Sequence, residues 1–345
     1  MSVDYGWLDR GPEQGRRVGL VVQAAYHLPE FVPLRDELRA RGIPADLLVP
    51  LPPRKPLNRF RPGMRRFREL LAGTALRLDG VSTSADLTSE LSSVVVMNDW
   101  GVPKPLVESL RRAGSPTFAW IEGVQDFADV DTGQSREAYR HVDHVFCLGQ
   151  YGADQLPGIA HTIVGSARLR ALWSDPAVET RDRRAVVSSN FTYGVLTEHR
   201  RAWVSSAMAA CRSADLPCVL SRHAAERGFS FPHRSSSTSI GTLLGESSHF
   251  VGRFSTVCYE ALVRGVEFVY YNPHGEREPT FLDPRGAFTV SSSEEELADR
   301  LREPVRSSTE VRTGAADFLG VHLRLEPGPT PAELAGAVIA GAVQE

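Results

Sequence analysis

Short apolar runs alternate with amphipathic stretches along the first half of the chain. Residues 17–23 (RVGLVVQ) form a run rich in β-branched side chains, which predicts a buried strand. In the stretch that follows, Phe31, Leu34 and Leu38 recur at helical spacing before Gly42, so we expect a helix that ends there. The other predicted elements of this half are strands at 45–49, 92–99, 117–121, 143–148 and 161–165 and a helix at 105–114.

The second half repeats this alternation from residue 185 onwards. Strands are predicted at 185–190, 217–221, 249–252 and 266–271, with helices at about 197–213 and 256–264. Capping-box patterns, in which glutamate follows a hydroxyl residue three positions later, start two more helices at Ser293 and Thr330. Strands that alternate with helices at this spacing indicate βαβ units, and therefore a parallel sheet in each half.

Between the two series lies the charged stretch 166–184, which has no strand pattern and is interpreted as a linker. A chain of 345 residues is too long for one ordinary core, so two domains are expected. We predict an α/β protein with Rossmann-like domains over 1–165 and 185–328, and a C-terminal helix at 329–345 that could pack back on the first domain. The Pro- and Arg-rich stretch 50–70 predicts a loop leading into a basic helix.

The composition is that of a globular protein and argues against several classes of function. Hydrophobic residues make up 42% and charged residues 23% of the chain, and the net charge is −3. This balance argues against a nucleic-acid-binding protein and against a polybasic membrane protein. The first residues have no signal-peptide core and no apolar run is long enough to span a membrane, so we expect a cytoplasmic protein.

The cysteines and lysines restrict the chemistry further. The four cysteines, at positions 147, 211, 218 and 258, have no CxxC spacing, which indicates reduced thiols in a cytoplasmic protein. Lys55 and Lys104 are the only lysines in the sequence, which argues against a Schiff-base mechanism. The sequence also contains no GxxxxGK[ST] phosphate loop.

The first predicted strand is followed by His27 and not by a GxGxxG dinucleotide-binding pattern. Ligands of doubly wound sheets bind beyond the carboxyl ends of the strands, so His27 is expected at a ligand-binding edge. An imidazole can remove a proton from a hydroxyl group at neutral pH, which makes His27 a candidate general base. A loop histidine that makes only a structural hydrogen bond explains the position equally well.

Carboxylates follow the predicted strand at 117–121. Glu122 and Asp126 lie just past its end, where either could act as a general base. Asp129 and Asp131 come next and are interpreted as solvated loop acids. Their DxD triplet has the form of a metal-binding motif, but without a second set of ligands it does not predict a metal site.

Two stretches of the second half combine groups that suit phosphate binding. The strand at 185–190 runs into a turn whose backbone N–H groups and hydroxyls could contact a phosphate. The residues of this turn are Asn190, Thr192, Tyr193 and Gly194. The strand at 217–221 is followed by Arg222, His223, Glu226 and Arg227. Arginine and histidine together suit a diphosphate, and the alternative is an exposed helix start with an i,i+4 pair between Arg222 and Glu226.

Residues 253–265 (RFSTVCYEALVRG) are the most informative stretch. Ser255 and Thr256 stand at a predicted helix start, where hydroxyls cap backbone donors or help to bind a phosphate. Glu260 is not explained by a capping box, because Tyr259 stands three residues after Thr256. A carboxylate can accept hydrogen bonds from both hydroxyls of a ribose, which is the alternative role. Further on, His274 and Glu276 are expected to be exposed at the same sheet edge.

Together these stretches resemble the GT-B class of nucleotide-sugar-dependent transferases, in which two Rossmann-like domains face each other across a cleft. The pattern H-x5-P-L-x3-L-x3-G, formed here by His27, Pro33, Leu34, Leu38 and Gly42, is similar to the N-terminal motif of inverting GT-B glycosyltransferases. In those enzymes the matching histidine is the catalytic base.

The second half resembles the donor domain of the same class. The E-A-x3-G pattern at Glu260, Ala261 and Gly265 is similar to a donor-site segment whose glutamate binds the ribose. The stretches SRHAAER and FST resemble motifs of CDP-glycerol glycerophosphotransferases and bacterial polysialyltransferases that hold the donor nucleotide and its phosphate. Ala224 stands where those enzymes usually carry proline. The non-hydrolysing UDP-GlcNAc 2-epimerases share the layout.

The resemblance implies a metal-independent, inverting glycosyltransferase without a cofactor, which moves a sugar or related group from a nucleotide-activated donor to an acceptor hydroxyl. The implied donor-binding residues lie on the C-terminal domain and the acceptor on the N-terminal one. Arg222, His223, Ser255 and Thr256 would stabilise the leaving phosphate and Glu260 would hold the ribose. His27, or failing that Glu122 or Asp126, would deprotonate the acceptor. The alternatives are a 2-epimerase, a glycerophosphotransferase, or a nucleotide-binding protein without catalysis.

Overall fold

The structure of the protein is a computed structural model, which describes residues 3–12, 15–51, 77–129, 132–176, 178, 181–191, 196–223, 226 and 233–344. Several positions discussed above lie outside the described residues: 52–70 of the predicted loop and basic helix, Asp131, Thr192, Tyr193, Gly194, Ala224 and Arg227.

The chain forms two compact units. Unit 1 comprises Met1–Glu122, Ala138–Arg168 and His322–Glu345, and unit 2 comprises Gly123–Glu137 and Leu169–Val321. The units therefore differ from the predicted domains in that a short segment of the first half groups with the second.

Unit 1 is built on an eight-stranded sheet with the order β4-β1-β3-β2-β5-β6-β7-β8. The strands are β1 (Asp4–Leu8), β2 (Arg17–Val21), β3 (Ala45–Pro50), β4 (Leu78–Thr83), β5 (Leu91–Val96), β6 (Thr117–Trp120), β7 (His144–Cys147) and β8 (Ala160–Ile163). The six strands from β3 to β8 in this order are parallel, as expected, whereas β1 pairs antiparallel with β3 and β4. The sequence pattern does not indicate β4, because most of its residues are exposed and it has no apolar run.

The helices described in unit 1 follow the strands in βα order. They are α1 (Leu28–Ala40), α2 (Ser84–Glu90), α3 (Lys104–Arg112), α4 (Gln150–Asp154) and, after the five helices described in unit 2, α11 (Pro331–Gln344). The helix α5 (Ala167–Ser174) begins at the boundary between the units. The apolar residues of α1, which include Phe31, Leu34 and Leu38, are buried, as the helical spacing predicts. The C-terminal helix α11 packs against α1 in the same unit.

Unit 2 is built on a five-stranded sheet with the order β10-β9-β11-β12-β13, and all its strands are parallel. The strands are β9 (Asp182–Ser189), β10 (Cys218–Arg222), β11 (Ser247–Gly252), β12 (Glu267–Tyr271) and β13 (Thr289–Ser291). The helices are α6 (Arg200–Ser213), α7 (Ile240–Glu246), α8 (Thr256–Val263), α9 (Glu294–Arg302) and α10 (Ser308–His322). The stretch predicted as a linker is thus partly folded, since it contains α5 and the first residues of β9.

Both sheets have the same kind of switch point. Among the parallel strands of each unit, the first in the chain lies between the second and the third, in the orders β3-β2-β5 and β10-β9-β11. At such a point the connections that follow the two adjacent strands run in opposite directions, which opens a crevice at the carboxyl ends of these strands. The residues that follow β2 and β5, and those that follow β9 and β11, are therefore the ones placed to contact a ligand.

Candidate functional site

The first switch point holds a carboxylate, an imidazole and an amide. Glu122 follows β6, and its Oε1 lies 3.4 Å from Nε2 of His27, which follows β2. Its other oxygen accepts a hydrogen bond of 2.8 Å from Nδ2 of Asn98, which follows β5. The hydroxyl of Tyr26 also donates to Oε1 of Glu122. Three neighbouring parallel strands therefore bring together residues that are far apart in the sequence.

His27 is the enclosed member of this cluster. It ends a short 3-10 helix, Ala25–His27, directly before α1, and its ring is packed edge-on against Phe31. Its Nδ1 accepts a hydrogen bond of 3.3 Å from the backbone N–H of Gln23. The neutral ring consequently has its proton on Nε2, where it can be donated to Glu122. Only 1% of the His27 side chain is exposed, compared with 23% for Glu122, so the carboxylate is the accessible group.

The charge of Glu122 is set by competing effects. Burial raises its pKa, but the hydrogen bonds from His27, Tyr26 and Asn98 and the nearby imidazole outweigh burial and lower the pKa to about 2. Glu122 is therefore ionised at neutral pH. A fixed, partly exposed negative charge of this kind can accept a hydrogen bond from a hydroxyl group of a ligand.

The backbone at Glu122 is held by a residue from another loop. The hydroxyl of Tyr139 accepts a hydrogen bond of 3.0 Å from the N–H of Glu122 and donates one of 3.3 Å to the carbonyl of Met97. Tyr139 is buried, and its own N–H donates to Asp99. Asn98 and Asp99 end the strand predicted at 92–99 and could have been noticed as polar residues at a strand end, whereas nothing in the sequence indicates the role of Tyr139.

Asp126, the third candidate base, belongs to unit 2, whereas Glu122, His27 and Asn98 belong to unit 1. It ends a short 3-10 helix, accepts a hydrogen bond of 3.0 Å from the N–H of Gly123, and is 8% exposed. Asp129 lies 3.5 Å from the guanidinium of the exposed Arg136, which agrees with its interpretation as a solvated loop acid.

The second switch point is organised around Asn190 and Arg253. The side chain of Asn190, which follows β9, donates a hydrogen bond of 2.7 Å to the carbonyl of Phe254, which follows β11. The carbonyl of Asn190 accepts one of 2.8 Å from the guanidinium of Arg253. Arg253 is fully buried, forms an ion pair with Glu276, and lies 3.7 Å from the ring centre of Phe191. Asn190 therefore joins the ends of the two strands that border the crevice.

Ser255 and Thr256 begin α8 at this crevice. The Oγ of Ser255 accepts a hydrogen bond of 3.2 Å from the N–H of Val257, so Ser255 is the N-cap, and Thr256 is the first helical residue. The first turn of a helix attracts anions, because its N–H groups point outward and the helix dipole is positive there. A methyl group added to Gly123 would lie 3.6 Å from Oγ1 of Thr256, an ordinary contact distance, so the backbone at Gly123 lies beside this turn.

Glu260 lies one turn further along α8 and is 4% exposed. Its Oε1 is 3.2 Å from Nε of Arg264, and a methyl group added to Gly241 of α7 would lie 3.1 Å from the same oxygen. Because Ser255 is the cap, the capping-box position is Cys258, and capping does not explain Glu260. The structure thus places this carboxylate against α7 and Arg264, and its role with a ribose stays a prediction.

Arg222 ends β10, and its guanidinium donates a hydrogen bond of 2.6 Å to the backbone carbonyl of Glu226. The alternative interpretation, an i,i+4 pair between these two side chains at an exposed helix start, is not what the structure shows. The carboxylate of Glu226 is fully buried, where it accepts hydrogen bonds from the hydroxyl of Ser189, from the N–H of Phe191 (both 2.7 Å) and from the N–H of His223 (3.3 Å). Glu226 thus fixes the end of β9, and sequence reasoning missed this role.

The expectation that Glu276 is exposed is wrong. It is 3% exposed, since it pairs with Arg253 and accepts a hydrogen bond of 2.8 Å from the hydroxyl of Tyr270. His274 stacks on His199 with ring centres 4.0 Å apart. Burial, and then the positive charges near it, lower the pKa of His274, so its ring is neutral at pH 7.

The described ranges of the chain contain neither a cluster of metal-binding side chains nor a membrane-spanning helix. No group of three histidine, cysteine, aspartate or glutamate side chains in those ranges could hold a metal ion. None of the helices described above is both long and apolar enough to cross a membrane.

The sequence matches no protein-family model and no curated protein. Solved structures are nevertheless similar over nearly the whole chain. The UDP-GlcNAc 2-epimerase of Methanocaldococcus jannaschii, in complex with UDP-GlcNAc and UDP, has a TM-score of 0.55 and 10% identity over 94% of this chain and 99% of its own. The wall teichoic acid polymerase TagF has a TM-score of 0.55 and 8% identity over 96% and 90%.

The spinosyn forosaminyltransferase SpnP has a TM-score of 0.55 and 14% identity, over 96% of this chain and all of its own. At such low identity these similarities concern the fold and not the reaction. They agree with the two α/β units, which are built here on sheets of mostly parallel strands. The chain has the GT-B fold.

Proposed function

We propose that the chain is a glycosyltransferase that moves a sugar or a related group from a nucleotide-activated donor to an acceptor hydroxyl, with inversion at the transferred carbon and without a metal ion. The observation that supports this most is the ionised, partly exposed carboxylate of Glu122 at a switch point, backed by His27 and Asn98. Carboxylates so placed suit the orientation and deprotonation of a hydroxyl.

In the proposed reaction the acceptor hydroxyl donates its hydrogen bond to Glu122. A bond forms between the acceptor oxygen and the transferred carbon while the bond from that carbon to the phosphate breaks. The acceptor oxygen becomes strongly acidic as the new bond forms, so a carboxylate with a pKa of about 2 can still take its proton. His27 then positions Glu122 through its Nε2–H. For His27 itself to take the proton, its Nδ1 would have to release the N–H of Gln23.

The leaving phosphate is proposed to bind at the start of α8. Thr256 and the helix dipole offer hydrogen-bond donors and partial positive charge there, and Arg222 ends a strand of the same sheet edge. Positive charge fixed in advance at a leaving group is the strongest common source of catalysis, and it makes a metal ion unnecessary in this proposal. Asn190 and His223 are assigned to the same donor site, and Glu260 to the ribose.

The donor assignment is tested by thermal shift with UDP, GDP, CDP, CMP and dTDP and their sugar conjugates. A ligand that binds only the folded protein raises the melting temperature, by an amount that grows with concentration over Kd. We expect one nucleotide family to raise it more than the others. A flat response across the panel contradicts the donor site, whatever the acceptor.

The similarity to a UDP-GlcNAc 2-epimerase supports a second candidate, epimerisation of the donor sugar. Incubation of the donor alone in D2O separates the two reactions. Epimerisation at carbon 2 breaks a carbon–hydrogen bond and puts deuterium into the sugar without an acceptor. A transferase leaves the sugar unlabelled and consumes the donor only when a hydroxyl acceptor is added, and a protein that binds without turnover does neither.

A further inference from the structure

The rings of two exposed aromatic residues lie near Glu122 and take no part in the proposed reaction. Tyr26, which follows β2, is 49% exposed, and its hydroxyl donates to Glu122. Trp100, which follows β5, is 38% exposed, as is Val102 two residues later. Large apolar side chains that stay exposed together commonly mark a place where a ligand or a partner binds.

Trp100 is joined to Glu122 through one side chain. The indole of Trp100 packs edge-on against the ring of Tyr139, with the ring centres 5.4 Å apart. The hydroxyl of Tyr139 in turn accepts the hydrogen bond from the N–H of Glu122. Trp100 therefore lies one tyrosine away from the residue that is proposed to take the proton of the acceptor, and all three residues belong to unit 1.

The loop that carries Trp100 and Val102 is fixed by buried side chains. The hydroxyl of Tyr5, in β1, donates a hydrogen bond of 3.3 Å to the carbonyl of Val102. The buried carboxylate of Asp99 accepts one of 3.1 Å from the N–H of Tyr139. Tyr139 has a φ of +62°, a left-handed conformation that a tyrosine rarely adopts, and this hydrogen bond helps to hold it there. The exposed indole is thus preorganised, so a ligand that contacts it loses little free energy to ordering of the loop.

The charges near these rings restrict the ligand. Residues 22–27 after β2 and 97–103 after β5 include no lysine or arginine, and their one acid, Asp99, is buried. These two loops therefore carry no lysine or arginine that would attract a phosphate or a carboxylate. The negative charge of the partly exposed Glu122 repels such groups.

We propose that the acceptor is an alcohol built on a ring and free of anionic groups, whose ring face stacks on Trp100 while its hydroxyl reaches Glu122. This acceptor class rests on the function proposed above, because only a transferase needs an acceptor. A sugar ring presents C–H groups to an indole and an aromatic ring presents its π face, and both displace water from the indole when they bind. Tyr26 offers a second exposed ring beside the same carboxylate. Trp100 thus selects the acceptor by its ring, and Glu122 acts on its hydroxyl.

Ligand-observed saturation-transfer NMR on the full chain tests this class with three pairs of probes. The pairs are methyl glucoside and glucose 6-phosphate, phenol and phenyl phosphate, and glycerol and glycerol 3-phosphate. We expect a signal from methyl glucoside or from phenol, which tells a sugar ring from an aromatic one. In Trp100→Ala the affinity for that probe should fall about tenfold, because the aromatic face is removed. Leu282→Ala, which removes an exposed apolar side chain of unit 2, is the control and should leave the affinity unchanged.

Two outcomes overturn the proposal. One is the absence of a signal that depends on Trp100 for either ring compound, and the other is a signal that depends on Trp100 and is as strong for a phosphate or for glycerol. If Trp100→Ala fails to fold, Trp100→Leu removes the aromatic face and keeps an apolar side chain.

The nucleotide panel described above reports on the donor site separately. A flat panel together with a ring compound that binds at Trp100 contradicts the transfer reaction. A nucleotide that binds while no ring compound depends on Trp100 contradicts the acceptor class alone.

Discussion

The two switch points have the same strand order, yet their carboxylates serve opposite purposes. At the first, Glu122 is partly exposed and ionised, and its neighbours keep its charge available. At the second, Glu226 and Glu276 are buried, and their oxygens bind the N–H of Phe191, the guanidinium of Arg253 and other protein groups. Unit 1 therefore presents a reactive side chain, whereas unit 2 uses its acids to fix a backbone around the start of α8.

A third carboxylate of unit 2 extends the contrast. Glu278 is 1% exposed, and burial, followed by the nearby charge of Asp126, outweighs its hydrogen bonds from Thr280 and raises its pKa to about 7. The pKa values of Glu122 and Glu278 are thus shifted in opposite directions. Glu122 is therefore held charged at neutral pH, whereas the pKa of the enclosed Glu278 lies close to neutral pH.

The largest expected effect is on the stability of the second switch point. Glu276→Ala leaves the guanidinium of Arg253 buried without its carboxylate, which we expect to cost about 3–5 kcal/mol of unfolding free energy. Glu303→Ala is the matched control, because it breaks the exposed pair with Arg300 and should cost no more than about 1 kcal/mol. Urea denaturation measures both. Equal costs would show that Glu276 is not structural.

The next effect concerns the first switch point. Glu122→Gln removes the charge but keeps the size of the side chain, and we expect turnover to fall about 10²–10³-fold with nucleotide affinity unchanged. His27→Asn should lose less activity, and the acidic limb of the pH profile should remain but move to higher pH, because His27 no longer lowers the pKa of Glu122. A larger loss in His27→Asn than in Glu122→Gln, with the acidic limb abolished, would make the imidazole the base.

The opposite pKa shifts predict how stability depends on pH. The folded state raises the pKa of Glu278 from 4.5 to about 7, so its contribution is fully present below pH 4.5 and is lost as the pH rises through 7. The loss amounts to at most about 3 kcal/mol. Glu122 acts in reverse, since its contribution is present above pH 4.5 and is lost as the pH falls towards 2. The midpoint of urea denaturation, determined at several pH values, measures both contributions.

Glu278→Gln isolates the contribution of Glu278 to the dependence of stability on pH. It should flatten the fall in stability between pH 4.5 and 7 and leave the acid-side slope of Glu122 unchanged. An unaltered slope in this variant would contradict the assignment to Glu278.

The smallest effect separates capping from ligand binding. Ser255 and Ser239 cap α8 and α7, and the Oγ of each accepts a hydrogen bond of 3.2 Å from a backbone N–H. Replacing either by alanine should cost about 1 kcal/mol of stability. Only Ser255→Ala should also reduce the thermal shift caused by the nucleotide found in the panel. The same reduction in Ser239→Ala would mean that the shift reports stability and not contact.

The sequence predicts the strands of both sheets where each is an apolar run, and it predicts which polar residues stand at the strand ends. His27, Asn190 and Ser255 could be placed at the crevices for this reason alone. The antiparallel strand β4 could not be predicted, because its exposed residues carry no hydrophobic pattern. Pairing with β1, and not burial, defines it.

The roles of the acids could not be predicted. Glu226 and Glu276 stand next to turn residues and look like surface carboxylates in the sequence. Their burial depends on partners such as Ser189, Phe191 and Arg253, which reach them from other strands. Likewise, nothing in the sequence shows that Asp126 groups with unit 2, because the segment 123–137 lies between two strands of the first sheet.

The packing of α11 against α1 has a consequence for how the protein is made. Unit 1 takes its first strands from the start of the chain but also needs His322–Glu345, which a ribosome adds only after every residue of unit 2. The surface of α1 that α11 covers therefore stays uncovered by α11 while unit 2 is synthesised. Unit 2 is therefore complete in the chain before unit 1, although unit 1 begins first.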